Sequence, residues 1–200
     1  MNALQKVRMK AILKYTWPFY ILSGIIVGFL MYFLFGITHR VPSYQTLTLF
    51  VSGETINSKK LKNDMLEKYK DNGLKAFSCV SADPSQSNSY YNKLSVAGYN
   101  TSDVLIITGS QLDNLNVSAF ALDLNDELVN SYYSGMTLYA QEGVNYGIEL
   151  DKEKVKDYFA LPSETCYLVL NGKSVNTGAY SPKQVKEYDN ALRVVRDWGK

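Results

Sequence analysis

Residues 103–109 read DVLIITG, a nearly continuous apolar run, four apolar residues and a threonine, opened by an aspartate and closed by a glycine. A run this short and this continuous marks a strand buried on both faces, because a half-exposed strand would alternate. Strands of that kind belong to sheets covered on both sides by helices. The flanking sequence supplies both. Upstream, TLTLFVSG (46–53) and KAFSCVSA (75–82) are rich in Thr, Phe and Val and read as strands. Between them Leu61, Met65, Leu66 and Tyr69 fall on one face of a helix capped by Asn57 or Ser58, with Gly73 past its end. Lys59, Lys60, Lys62, Glu67, Lys68 and Lys70 cover the other face as a solvated charge run. A second helix, with Tyr90, Tyr91 and Leu94 inward, ends near Gly98. Strands alternating with helices predict an α/β fold built from βαβ units, with a mixed, mostly parallel sheet of about five strands flanked by helices.

Downstream, residues 111–115 suggest one helical turn, and ALDLND (121–126) an extended stretch that caps a short helix through Ser131. TLYAQEGVNYGIEL (137–150) has two alternating runs around Gln141-Glu142-Gly143, a hairpin signal. Asp151 caps a predicted helix over KEKVKDYFAL, and Pro162 follows it. CYLVLN (166–171) is another buried-type strand. A last helix is predicted from Ser181 as cap and Pro182 as its first residue, with Val185, Tyr188, Leu192, Val195 and Trp198 as its apolar stripe.

At the other end of the chain, WPFYILSGIIVGFLMYFLFGI (17–37) carries no charge. At about 1.5 Å per residue such a helix is roughly 31 Å long, enough to cross a bilayer core. It is too long for a cleaved signal segment, and GITHRVPSY after it offers no small-x-small site. We read an uncleaved signal-anchor, with Pro18 in its first turn. Lys6, Arg8, Lys10 and Lys14 precede it with no acid, so the positive-inside bias puts residues 1–16 in the cytoplasm. Arg40 and His39 oppose this only slightly. The expected layout is a cytoplasmic tail over 1–16, a transmembrane helix over 17–38, a linker over 39–45 and an extracytoplasmic α/β domain over 46–200. The protein would thus sit in the cytoplasmic membrane as a single-pass chain. Gly24 and Gly28 form a G-x-x-x-G that permits close helix pairing, although glycine is common in membrane helices anyway.

Of 21 Lys+Arg and 19 Asp+Glu, five bases and no acids lie in residues 1–40, which leaves the rest with 16 bases and 19 acids. The basicity belongs to the membrane end, and no basic stripe points to nucleic acid. The single histidine, His39, lies at the membrane boundary, which removes histidine triads and most zinc sites. Cys79 and Cys166 lie in apolar runs and read as two free thiols, with no histidine to activate them. No catalytic residues, metal ligands or cofactors are predicted. Asp123, Asp126 and Glu127 form an acidic cluster that a capped helix N-terminus explains equally well. Tyr132-Tyr133 and Tyr90-Tyr91 are candidates for a protein-contact patch or for core packing.

Taken in order, TLTLFVSGE, KAFSCVSA, SDVLIITGSQLDNL, ALDLND and LYAQEGVNYGIELD are similar to the first lobe of extracellular solute-binding proteins of ABC importers, those with the type 2 periplasmic-binding fold. The resemblance covers most of residues 45–200. It implies that CYLVLN returns antiparallel between the DVLIITG and YGIEL strands, with Cys79 on an edge strand. Those proteins insert a second lobe after the YGIEL strand; here residues 151–164 leave room for one short helix only. In open α/β sheets ligands bind beyond the carboxyl ends of the parallel strands. The loops there hold Ser52, Gly53, Glu54, Ser81, Asp83, Gly109, Ser110 and Gln111, which are either a site for a small polar solute or ordinary turn and capping residues. The expected function is a non-catalytic, membrane-anchored binding or interaction module with a protein partner at the cell envelope. The alternative is an accessory or substrate-binding component of an ABC importer, with a partner supplying the missing lobe.

Overall fold

The structure, a computed structural model, describes residues 3–38, 41–182 and 188–200. It divides into two units, residues 1–40 and 41–200. The first is one helix, α1 (Ala3–Thr38). Within it the stretch Lys14–Gly36 has a mean hydropathy of 2.1 and is long and apolar enough to cross a membrane. Large apolar side chains along it, such as Phe19, Phe29 and Tyr32, are exposed. The helix starts well before Trp17, so Pro18 lies in its interior rather than in its first turn. There it cannot donate to the Lys14 carbonyl, one turn back. Just before it the Thr16 hydroxyl donates to the Ile12 carbonyl at 2.5 Å, and beyond it Ser23 does the same to Tyr20 at 2.9 Å. His39 and Arg40 lie outside the described residues.

The second unit is a three-layer α/β body. Its elements are β1 (Thr46–Ser52), β2 (Glu54–Thr55), α2 (Ser58–Lys68), β3 (Ala76–Ala82), α3 (Ser87–Lys93), α4 (Tyr99–Thr101) and β4 (Val104–Thr108). After these come α5 (Gly109–Asp113), α6 (Asp126–Tyr132), β5 (Leu138–Gln141), β6 (Val144–Glu149) and α7 (Lys152–Val155). The chain closes with β7 (Phe159–Ala160), β8 (Cys166–Leu170) and α8 (Asn190–Trp198). Six strands form one mixed sheet in the order β3-β1-β4-β8-β6-β5, and β2 pairs with β7 in a separate ribbon. Strands β3, β1, β4 and β6 run one way; β8 and β5 run the other.

The topology follows from the handedness of crossovers. From β1 the chain steps outward to β3, then returns past β1 to β4, so two right-handed connections must lie on opposite faces. Alternation in the strands fills both sides. Leu49, Val51, Val104 and Ile106 join Leu61, Met65, Leu192 and Trp198 under α2 and α8. Phe50, Leu105 and Ile107 join Tyr90, Leu94 and Leu112 under α3 and α5. All five residues of β4 are buried, as the apolar run requires. The β5–β6 hairpin turns through Glu142 (φ 52°) and Gly143 (φ 81°), the paired positive angles of a type I′ turn.

Three expectations change. Tyr91 is exposed, while Tyr90 beside it is buried, because the helix there turns only one of the pair inward. The helix after Asp151 stops at Val155, and Phe159–Ala160 becomes a strand, since Glu54–Thr55 offers it an unpaired edge. The final helix starts at Asn190, behind Asp189 rather than Ser181; Val185 lies outside the described residues. Its stripe of Leu192, Val195 and Trp198 is buried.

Candidate functional site

The carboxyl ends of β1, β3 and β4 gather the residues expected to meet a ligand, and the structure divides them into two sets. Gly53, Glu54, Ser81 and Asp83 surround a shallow hollow of about 220 Å³, together with Tyr90 and Lys93. Ser52 and Gln111 instead lie in a network centred on Tyr90. The Tyr90 hydroxyl donates to Gln111 Oε1 at 2.9 Å and stands 2.6 Å from Ser52 Oγ. Its one proton being committed to Gln111, the Ser52 hydroxyl is the donor to Tyr90. The Thr108 N–H also donates to Gln111 Oε1, at 3.3 Å, which fixes that atom as the carbonyl oxygen. Thr108 and Gln111 thus form a capping box at the start of α5. Burial pushes the Tyr90 phenol up, against the Ser52 hydrogen bond, so it stays protonated.

Gly109 and Ser110 do not reach the hollow. The Gly109 N–H donates to the Thr165 carbonyl at 2.9 Å. The Ser110 hydroxyl lies 3.3 Å from Thr108 Oγ1. Asp83 accepts from the Ser85 N–H at 2.9 Å and its hydroxyl at 2.8 Å, which hold its carboxyl below the usual range. The segment 151–164 pairs with the chain just after β1, beside the hollow rather than in its lining. Glu54 pairs with Ala160, Thr55 pairs with Phe159, and the Ile56 N–H donates to the Tyr158 carbonyl at 2.8 Å. Gly53 makes room for this ribbon: a Cβ there would come 2.6 Å from the Ala160 carbonyl oxygen, at φ 153°.

Lys152 fastens the same segment at its far end. Its ammonium donates to the carbonyls of Pro162, Ser163 and Glu164. Cys166 behind it is buried and Cys79 is half-buried, both as free cysteines. Burial pushes the Cys79 thiol up to about 11 despite Thr55 beside it, and pushes Cys166 up as well. Neither thiol is poised to ionise at neutral pH.

A second polar centre, which the sequence reading missed, lies at the opposite end of the sheet. A cavity of about 450 Å³ there is lined by Thr46, Thr48, Ser102, Asp103, Asn171 and Ser174, among others. Asp103 is its buried anchor. Its carboxylate accepts from Ser174 Oγ at 2.6 Å, the Thr48 N–H at 2.8 Å and Asn176 Nδ2 at 3.1 Å. Burial still raises its affinity for a proton above the ordinary aspartate value. Asn171 Nδ2 donates to the carbonyls of Ser102 at 2.8 Å and Tyr99 at 3.0 Å. These donors tie the starts of β1 and β4 to the 171–176 loop. The available signal was a lone carboxylate placed directly before a continuous apolar strand.

In the first unit, Gly24 and Gly28 lie four apart on α1 with no atom within 4 Å of where a Cβ would be.

No protein-family profile matches the chain, and no curated protein does. Among solved structures, it is similar to a maltose/maltodextrin-binding domain from Bdellovibrio bacteriovorus bound to maltotriose. The identity is 11% and the TM-score 0.39, over 52% of this chain and 28% of that one.

Proposed function

We propose that this chain is a membrane-anchored, non-catalytic interaction module: a single solute-binding-like lobe held outside the cytoplasmic membrane, whose occupant is another protein of the envelope. The observation that carries the reading is the β2–β7 ribbon. It follows directly on the carboxyl end of β1, and Glu54 of β2 lines a hollow there of only about 220 Å³. Small-molecule pockets run from about 300 to 1,000 Å³; the cavity of about 450 Å³ at the other end is in that range, but its carboxylate already accepts from Thr48, Ser174 and Asn176. Ser52 and Gln111 are committed to Tyr90 and to a helix cap, so few groups remain to grip a polar solute.

The single-lobe reading is supported by β8, which lies antiparallel between β4 and β6 after an intervening segment of residues 151–165. That is the strand order the resemblance to solute-binding lobes implies. The anchoring reading is supported by the exposed apolar surface of α1, which water would not tolerate over such a length. The outward orientation is supported by the positive-inside bias of Lys6, Arg8, Lys10 and Lys14. Gly24 and Gly28 give it a face for pairing in lipid.

The test is thermal unfolding of the detergent-solubilised full chain against sugars, amino acids, peptides and divalent metals, with crosslinking in intact cells alongside. We expect no melting shift and a crosslinked envelope protein. A rise of several degrees with one solute class would overturn the reading in favour of a receptor subunit of an importer. Ser110→Cys, at an exposed position, reports the orientation: labelling by a membrane-impermeant maleimide in intact cells is expected.

A further inference from the structure

The sheet ends at β3, and among the described residues no other strand pairs with its outer side. Exposed edge strands are protected from pairing by charges, prolines, bulges or a covering element. The seven residues of β3, AFSCVSA, contain no charge and no proline, and the strand pairs with β1 in unbroken register. Ser78 is exposed, and Cys79, Val80 and Ser81 are partly so. The Gly53 N–H donates to the Ala82 carbonyl, so the even residues of β3 face β1. By alternation the backbone N–H and C=O groups of Phe77, Cys79 and Ser81 point out to the edge.

What flanks the strand says what fits it. Lys75 stands one residue before β3 and Asp83 one residue after, and Cys79 is the midpoint. Laid antiparallel on a second copy of itself about Cys79, the strand brings Lys75 of each chain opposite Asp83 of the other. Phe77 then meets Ser81, and Cys79 meets Cys79. The outward-facing groups fall opposite one another, making about six interchain hydrogen bonds. Shifting the register by two residues either way keeps the bonds near the centre but separates the charges. Among the described residues neither Lys75 nor Asp83 makes an ion pair within the chain; the Lys75 N–H is held by the Gln45 carbonyl, and the Asp83 carboxylate accepts only from Ser85.

We infer that β3 is the dimer edge of this protein: two copies join their sheets through antiparallel β3 strands in a register fixed by two Lys75–Asp83 pairs. The inference rests on residues 75–83 alone and stands whether or not α1 spans a membrane.

Light scattering on the detergent-solubilised full chain tests it with three proteins. The unaltered chain is expected to dimerise. Lys75→Asp puts like charges opposite each other twice and weakens the dimer about tenfold. Lys75→Asp combined with Asp83→Lys restores the opposite-charge pairs and the dimer. A monomer at all concentrations overturns the inference, and so does a dimer indifferent to Lys75→Asp, which would place the contact elsewhere, for instance at Gly24 and Gly28. Register has its own readout in a Cys79→Ser background. Ser78→Cys on one tagged copy and Val80→Cys on another face each other in a non-hydrogen-bonded pair, spaced for a disulfide. Oxidation is expected to link the mixed pair and not two Ser78→Cys copies; the reverse outcome overturns the register.

Discussion

The two ends of the sheet solve one problem with different chemistry. At the carboxyl end of β1 and β4, buried polar groups meet through neutral partners: Ser52, Tyr90 and the amide of Gln111. At the opposite end a buried carboxylate, Asp103, gathers donors from β1 and from the loop after β8. A neutral network costs less to bury than a charge does, and losing one partner strands fewer groups. A buried carboxylate binds more strongly, and its loss strands several donors together. The Tyr90 end therefore tolerates change where the Asp103 end does not.

The sharpest way to break the comparison is Asp103→Ala. It leaves the Thr48 N–H, the Ser174 hydroxyl and the Asn176 amide without their acceptor, and denaturant unfolding should show a loss of about 3–5 kcal/mol. The pH dependence carries a sign. Because Asp103 holds its proton more tightly folded than unfolded, its contribution falls as pH rises from the ordinary aspartate range through its raised folded value. The stability gap between wild type and variant should be widest in acid and narrow above it. A gap that widens with pH would mean that the hydrogen bonds outweigh burial.

Tyr90→Phe is the matching cut at the other end. It removes two hydrogen bonds but keeps the ring against Phe50, so about 1–3 kcal/mol is expected from the same measurement. A loss equal to that of Asp103→Ala would erase the distinction between the ends. Gly53→Ala tests the ribbon rather than the network. A Cβ against the Ala160 carbonyl should lift β7 at a cost of about 1–3 kcal/mol, read as faster hydrogen exchange at Ile56. The smallest effect belongs to a site outside both ends. Asp197 accepts from Tyr69 at 2.9 Å and pairs with Lys68 at 2.8 Å. Burial pushes its carboxyl up, but those partners outweigh it and hold it low, so its contribution is present above the ordinary aspartate value and fades as pH falls. Partial exposure screens it, and Asp197→Asn should cost no more than about 1 kcal/mol at neutral pH.

The sheet was legible because its strands declare themselves. VLIIT in β4 and CYLVL in β8 are continuous apolar runs, and the Glu142-Gly143 turn supplies the positive φ angles a tight hairpin needs. The resemblance to solute-binding lobes added the position of β8, which periodicity alone could not give. What stayed hidden was decided by partners distant in sequence. KEKVKDYFAL has a helical pattern, yet its last residues pair with Glu54–Thr55, about a hundred positions away. For Gln111 the sequence allows a ligand contact or a cap, and the cap is what forms: Thr-x-x-Gln at 108–111 is a capping-box pattern. Asp103 drew no notice because one carboxylate before a strand looks like any loop residue. Only the fold brings Ser174 and Asn176, some seventy residues later, to its side.

The position of β8 has a consequence for how the protein is made. Ribosomes deliver β4 some sixty residues before the strand that flanks it, so a nascent chain holds two partial sheets with a gap between them. Until Cys166–Leu170 is inserted, the greasiest strand in the body has one bare side, while the β5–β6 hairpin has nothing to lean on. Pairings this remote in sequence form slowly. The exposed flank of β4 makes that interval the one in which a newly synthesised copy is open to wrong pairing.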